Sequence, residues 1–317
     1  MWPWSTFFGP PVHPLPPPVA PQPATNHLYK FDPARQRWTQ ETSPDPDVSS
    51  INPNSPFSII SWNIDFSRPL PLARFGSALT LLQQLLSPHL VSLPPPPTIL
   101  LLQEMHHTCF GPLLSNGFIR EFYEITNIAS PQSYSTVTLV PKSLAPLVSC
   151  VSRVAYMETQ MSRDCVYVDL DLPAEGGQPF RRLRIANTHL ESLRGFGDVA
   201  RPKQLEAVYS LLTGVQIHGG LVAGDMNAIT PEDATVPQSI GFTDSWLVGR
   251  AATEPPEGHT WGYQPPSRFP PGRLDKILTV GNIGCVDIQR IGLGAKVEGR
   301  DVWISDHYGL FGKVVLR

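Results

Sequence analysis

The chain has 317 residues, 41% of them hydrophobic and 16% charged, with a formal net charge of -3. That apolar share can bury a sizeable core and excludes a wholly disordered chain, and the charge excludes nucleic-acid binding driven by a global positive field. No apolar run approaches the roughly 20 residues that a membrane span needs.

Proline divides the chain. There are 36 prolines, about 11% against an average near 5%, and nine fall in the first 25 residues. Residues 1–28 mix proline with scattered aromatics and no hydrophobic period, which reads as disorder or polyproline II. A ligand for a proline-recognition partner is the sharper alternative. Residues 29–56 are polar and proline-punctuated, so 1–56 is expected to be a largely disordered or loosely docked N-terminal arm, and 57–317 the folded body. The first residues lack a basic stretch and are broken by proline, which argues against a secretory signal. Cys109, Cys150, Cys165 and Cys285 are scattered, with no C-x-x-C pair, and read as reduced thiols of an intracellular protein.

From Phe57 the texture becomes short apolar runs closed by polar clusters. Phe57–Trp62 is the first, and residues 70–87 then carry Leu79, Leu82, Leu85 and Leu86 at helical spacing ahead of Pro88. Strand-like runs follow at Thr98–Leu102, Thr136–Val140, Val166–Leu172 and Leu183–Ala186. In Val166–Leu172 apolar residues alternate with Tyr167, Asp169 and Asp171, the period of a strand with one face buried. A second helical pattern spans 201–213 through Leu205, Val208, Tyr209 and Leu212. The remaining runs are Gly220–Ala223, Ile277–Val280 and Leu310–Leu316. Strands outnumber interspersed helices, so the body is α/β or α+β with mixed sheets.

Chemistry gathers where these runs end. Phe57–Trp62 ends at Asn63, Thr98–Leu102 at Gln103-Glu104, Leu183–Ala186 runs on to His189, and Gly220–Ala223 leads to Gly224-Asp225-Met226-Asn227. Asp275 lies in Arg273-Leu274-Asp275-Lys276-Ile277, and Asp306-His307 precedes the last run. A single strand-end Asp or Asn is more often a turn former, and a single His more often structural. Six positions at one topological place weaken that reading jointly and predict convergence on one rim. Carboxylates and amides without cysteine suit a hard cation such as Mg²⁺ with a substrate phosphate, two histidines can donate to that phosphate, and Asp beside Asn suits a water nucleophile. No P-loop and no G-x-S-x-G elbow is present.

Asn63 in Ser-Trp-Asn-Ile-Asp, Glu104 in Leu-Gln-Glu, His189 in Thr-His-Leu, the Gly224–Asn227 stretch and Ser305-Asp306-His307 resemble, in order, the signatures of the endonuclease/exonuclease/phosphatase superfamily. The resemblance implies a four-layer sandwich, two packed mixed β-sheets flanked by helices, and Mg²⁺-dependent hydrolysis of phosphoesters, with Mn²⁺ as a substitute. The finer resemblance is to 5′-tyrosyl-DNA phosphodiesterases of the tyrosyl-DNA phosphodiesterase 2 type. It rests on Trp62–Asp65, Thr188–Arg194, His259-Thr260-Trp261 ahead of Arg273–Ile277, Ser305–Leu310 and Tyr134, and covers about 57–317.

By that resemblance Glu104 is the principal Mg²⁺ ligand, with Asn63 near the metal and Asp275 supporting the metal or His189. Asp225 orients and activates water, Asn227 holds the phosphate, His307 donates to its oxygens and is oriented by Asp306, and His189 assists. Ser192 and Arg194 are phosphate-side candidates, and Trp261 and Tyr134 are candidates for stacking on a base. Arg181, Arg182, Arg184, Arg201 and Lys203 form a DNA track only if they border the rim, and otherwise a solvated face. Ile229 stands where that branch often has Arg, which loosens the expected grip on the strand. The implied partner is a single-stranded DNA 5′ end bearing a tyrosyl adduct, and the implied address is the nucleus. A general nuclease, a small-phosphoester phosphatase and an inactive scaffold are the competing readings. Proline loops at 94–97 and within 255–271 are expected to border the site, the second setting substrate preference.

Overall fold

The computed structural model describes residues 24–40, 56–87, 97–130, 132–173, 180–250 and 256–317. Two mixed sheets account for its strands. The first runs, in spatial order, β1 (Ala24–Asn26), β8 (Val148–Ala155), β9 (Asp164–Leu172), β10 (Arg181–His189), β11 (Gly219–Asp225), β13 (Asp275–Gly281) and β12 (Thr243–Asp244). The second runs β14 (Ile283–Ile291), β15 (Gly309–Leu316), β4 (Phe57–Asn63), β5 (Thr98–His106), β7 (Tyr134–Pro141), β6 (Tyr123–Ile125), β2 (Tyr29–Asp32) and β3 (Arg37–Gln40). Each sheet has one parallel pair, β10–β11 and β4–β5, and is otherwise antiparallel. The helices are α1 (Pro71–Leu86), α2 (Phe110–Ser115), α3 (Gly117–Phe122), α4 (Phe196–Leu212) and α5 (Pro231–Ile240).

Three apolar layers separate four structural ones, as expected for a four-layer α/β sandwich. Between the sheets lie Ile59, Ile99, Leu101, Val168, Leu170, Ile185 and Leu221. The opposite face of the second sheet, with Ile60, Trp62, Leu100 and Leu102, packs on Phe75, Leu79 and Leu82 of α1. The opposite face of the first, with Tyr167, Ala186 and Val222, packs on Leu205, Val208 and Leu212 of α4. Strands buried on both faces read as continuous apolar runs because alternate side chains enter different layers, both dry.

The helix expected over 70–87 is α1. It starts on Pro71, whose missing N–H costs nothing in a first turn, and stops at Ser87 before Pro88. The helix expected over 201–213 begins earlier, at Phe196, and carries Pro202 in its second turn.

Residues 24–40, expected in a loosely docked arm, instead extend both sheets. Ala24–Asn26 pairs with β8, the β2–β3 hairpin pairs with β6 through Tyr29, and Leu28 and Phe31 are buried. The Arg120 guanidinium covers the Phe31 ring and the Trp38 indole donates to the Leu114 carbonyl. Two exposed sheet edges gain partners this way, which is the physical reason the segment docks. The expectations for 1–23, 41–55 and the prolines at 94–96 and 255 lie outside the described residues, whereas Pro97, expected to border the site, leads into β5 at the end opposite Glu104.

Candidate active site

In each sheet the parallel pair ends, and its antiparallel neighbour begins, at the same rim. His189, Asp225 and Asp275 are register partners across β10, β11 and β13, and Asn63 ends β4 opposite Gln103 of β5. Glu104 owes its direction to an irregular register between Leu102 and Met105 and to a backbone φ of 55°. A bulge of this kind turns one side chain out of the alternation. Gly224 is required because a Cβ there would lie 1.8 Å from the Thr188 carbonyl oxygen. Below the rim the sheets are joined by amides, Gln103 Nε2 donating to Asn187 Oδ1 at 2.8 Å and Asn187 Nδ2 to the Val137 carbonyl at 3.0 Å.

Asp225 is the hub. Its Oδ2 accepts from Asn63 Nδ2 at 3.0 Å and lies 3.4 Å from His189 Nε2 and 3.8 Å from His307 Nε2. Its Oδ1 accepts the Asn227 N–H at 2.8 Å, while Asn227 Nδ2 donates to the Leu190 carbonyl. Glu104 Oε1 is 3.6 Å from His189 Nε2, and Glu104 Oε2 accepts the Phe66 N–H. The sequence expectation had Asp306 orienting His307. Instead the carboxylate on His307 Nδ1 is Asp275, at 2.8 Å. Asp306 lies 3.8 Å from Nε2, and its other oxygen accepts the Trp261 indole N–H at 3.1 Å. Asp275 thus serves His307 rather than His189.

The two imidazoles differ in charge. Arg163, which the sequence reading missed, donates from Nη1 to His189 Nδ1 at 2.6 Å. A guanidinium cannot accept, so Nδ1 is the lone-pair nitrogen and Nε2–H faces the hub. Burial, then the Arg163 charge, pushes His189 down to about 4, so it stays neutral. Burial alone would also discharge His307, but Asp275, Asp225 and Asp306 together hold it well above the usual imidazole range. Burial likewise opposes the Asp225 charge and is outweighed by His307 and His189, which keep that carboxyl well below its usual range. Glu104 goes the other way: burial, only partly offset by Arg163 and His307, raises it to about 7.

The substrate-side candidates scatter more. Tyr134 is half-buried at the rim, stacked on Phe66 with centroids 4.1 Å apart, and the Arg163 guanidinium lies 5.3 Å from its ring. Trp261 is half-buried and bridges to His307 and Gly272, so the 256–274 loop does border the site. The Ser192 hydroxyl contacts the Met161 sulfur, whereas Arg194 is exposed and paired with Asp198. Arg182 and Arg184 are held bidentately by Asp171 and Asp169 on β9, and Arg201 by Asp233. These arginines form a structural ladder and a helix clamp rather than a track. Ile229 is half-exposed.

Glu104, His189 and Asp225 each offer a ligand atom within 4.8 Å of the others, and Asp225, Asp275 and His307 form a second such group. In the first, Glu104 and Asp225 fit a divalent cation, whereas His189, with its proton on Nε2, has no lone pair to offer it. No Lys or Arg is paired with Glu104 among the described residues, and burial leaves its carboxyl raised, so a bound cation would offset an unfavourable buried charge. Asp275 fits less well, because one of its oxygens is committed to His307.

Comparison with known proteins agrees with this geometry. No curated protein matches the sequence. Among solved structures, TDP2 from C. elegans superposes with a TM-score of 0.63 at 21% identity, over 83% of this chain and 75% of that one. TDP2 from D. rerio, solved with a single strand DNA product, gives 0.63 at 21% identity over 82% and 99%. The human Nocturnin catalytic domain with bound sulfate gives 0.56 at 21% identity over 83% and 94%. The model of the Endonuclease/Exonuclease/phosphatase family matches residues 60–307, from the first rim strand to the last rim histidine. The chain belongs to that family, and its fold is that of a phosphoesterase or nuclease-type hydrolase.

Proposed function

We propose that this chain is a Mg²⁺-dependent phosphodiesterase that hydrolyses 5′-phosphotyrosyl-DNA bonds, leaves a 5′-phosphate, and acts in the nucleus on topoisomerase adducts. The observation that carries the reading is the convergence on Asp225 Oδ2 of one amide and two imidazole nitrogens beside Glu104. Next to it lies a pocket lined by Tyr134, Arg163 and His189, with Phe66 stacked on the Tyr134 ring. The single strand DNA product in the D. rerio neighbour supports a DNA end as ligand.

Glu104, with Asp225 nearby, would hold Mg²⁺, which would supply Lewis-acid polarisation and charge neutralisation at the phosphoryl group. The residues of the chain do the rest. Asp225, ionised at neutral pH, orients a water through its free lone pairs. Asn63 and Asn227 hold its two oxygens. His307, kept charged by Asp275, and His189, kept neutral with Nε2–H inward, donate to non-bridging phosphate oxygens. Donors fixed in advance need no reorganisation as charge develops, and losing one typically costs about 10²–10³ in rate. The tyrosyl ring packs beside the Tyr134–Phe66 stack, and the nearby Arg163 cation favours the phenolate that leaves. Trp261 stacks on the first base and Ser192 and Arg194 meet the strand.

A panel of a 5′-phosphotyrosyl oligonucleotide, an abasic duplex, unmodified linear DNA and an inositol phosphate, each with Mg²⁺ or EDTA, tests the reading. Tyrosine release from the first alone, abolished by EDTA, is expected. Faster turnover of any of the others would reject the tyrosyl-DNA substrate. Ile229 is the observation that favours a general nuclease or small-phosphoester phosphatase, since a rim cation is lost there.

A further inference from the structure

Arg163 is 5% exposed, yet no carboxylate pairs with its guanidinium among the described residues, and its Nε has no hydrogen-bond partner. An uncompensated buried cation persists only where its surroundings force it into place. The force comes from how the 157–163 loop, between β8 and β9, is tied down.

The Glu191 carboxylate, 1% exposed and two residues beyond His189, accepts from Thr159 Oγ1 at 2.7 Å and from the Gln160 N–H at 3.1 Å. Thr159 Oγ1 in turn accepts the Arg163 N–H at 2.8 Å. Gln204 of α4 closes the ring from behind, accepting the Glu191 N–H at 2.8 Å and donating to the Glu158 carbonyl at 2.6 Å. On the rim side, the Tyr134 hydroxyl donates to the Met161 carbonyl. The loop is therefore clamped at both ends, and its last residue delivers the guanidinium to His189.

We propose that Glu191 is a positioning residue: through Thr159 it sets the 157–163 loop so that Arg163 meets His189 Nδ1 and sits by the Tyr134 ring. A carboxylate suits this relay because both of its oxygens act only as acceptors, so the loop N–H and the threonine hydroxyl can dock in one orientation. An amide could keep the second arm only if the Thr159 hydroxyl reversed to accept from its NH2, replacing a charge-assisted contact with a neutral one. Small displacements matter here, since a shift of about 1 Å away from the reacting atoms can cost ~10²-fold in rate.

The inference rests on the proposed reaction, so kinetics are measured on two substrates with Mg²⁺, a 5′-phosphotyrosyl oligonucleotide and p-nitrophenyl thymidine 5′-phosphate. Arg163→Gln is expected to lower kcat about 100-fold. Glu191→Gln and Thr159→Val should lower kcat roughly 10-fold with KM within about threefold, and Thr159→Ser should restore it. The decisive variant is Thr159→Val combined with Arg163→Gln: it should be no slower than Arg163→Gln alone, because one change acts through the other. Multiplying effects in the double variant, or an unchanged kcat in Thr159→Val, would overturn the proposal. So would Thr159→Ser behaving like Thr159→Val. If Glu191→Gln does not fold, the Thr159 series decides alone. Wild-type turnover of the nitrophenyl ester but not of the tyrosyl oligonucleotide would reject the substrate while leaving the coupling to be read on the ester. Turnover of neither would reject both.

Discussion

Two sets of charges, one along the first sheet and one at the rim where both sheets end, obey different rules. On the interior strands β9 and β10, Arg184 and Arg182 each face an aspartate of β9 with paired 2.7 Å contacts, and each guanidinium also covers an aromatic ring. At the rim, among the described residues, no carboxylate forms an ion pair with Arg163, no Lys or Arg is paired with Glu104, and one oxygen of Asp275 has no hydrogen-bond partner. Paired groups stabilise a fold at little electrostatic risk. Unpaired ones cost stability and are left to be completed by something that binds. The contrast identifies the rim as a site without reference to any relative.

The contrast can be broken by mutation, beginning where the effect is largest. Asp225→Asn should lower kcat by about 10³ or more, since it removes the charge that orients water and holds both imidazoles. Its melting temperature should fall as well, since a carboxyl held below its usual range contributes stability at neutral pH. Equal activity in this variant would remove Asp225 from the mechanism.

Glu104 tests the cost of an unpaired charge. Its carboxyl rises from 4.5 to about 7 on folding. The unfolded chain therefore binds fewer protons between those values, and stability falls as pH rises through that window. At pH 8 and without metal the penalty is about 3 kcal/mol, from 1.36 kcal/mol per unit, and near pH 4 it vanishes. Glu104→Gln should accordingly be more stable than wild type in EDTA at pH 8 and no more stable at pH 4. Mg²⁺ should raise the melting temperature of wild type at pH 8, progressively less below pH 7, and leave Glu104→Gln unmoved. Calorimetry with no metal effect at any pH would show that the cation does not bind at Glu104.

The ladder should respond in the opposite way. Arg184→Gln leaves Asp169, which is nearly fully buried, without its partner and should cost about 1–3 kcal/mol in chemical denaturation. Its kcat should equal the wild-type value, and a tenfold loss would make the ladder part of the site. The smallest effect is expected at Trp261. Trp261→Ala should raise KM severalfold on longer single-stranded ends, consistent with about 1–3 kcal/mol per stacked base. An equal change on a minimal tyrosyl ester would mark Trp261 as packing alone.

Much of this was readable beforehand, for definite reasons. Asn63, Glu104, His189 and Asp225 each close an apolar run, so the strand pattern points at them before any coordinates do. The pairing of His307 was not readable, because Asp275 and Asp306 are both plausible by type and the choice depends on which of them shares a sheet register with Asp225. Arg163 was hidden for a similar reason. It ends a loop of no periodicity whose tether, Glu191, lies 28 positions further on. Among the strands, β14 escaped notice because an irregular register between Val286 and Gln289, with Asp287 at φ 53°, breaks the alternation that marks a strand. The β2–β3 hairpin was masked by the prolines around it, although Phe31 and Trp38 are cross-strand partners in edge-to-face contact.

The most direct measurement is a mass spectrum of the products formed from a 5′-phosphotyrosyl oligonucleotide with Mg²⁺. The account predicts free tyrosine and an oligonucleotide retaining its 5′-phosphate, with neither formed by Glu104→Ala. Phosphotyrosine with a 5′-hydroxyl end, or nucleotides trimmed from a strand still carrying its tyrosine, would contradict it.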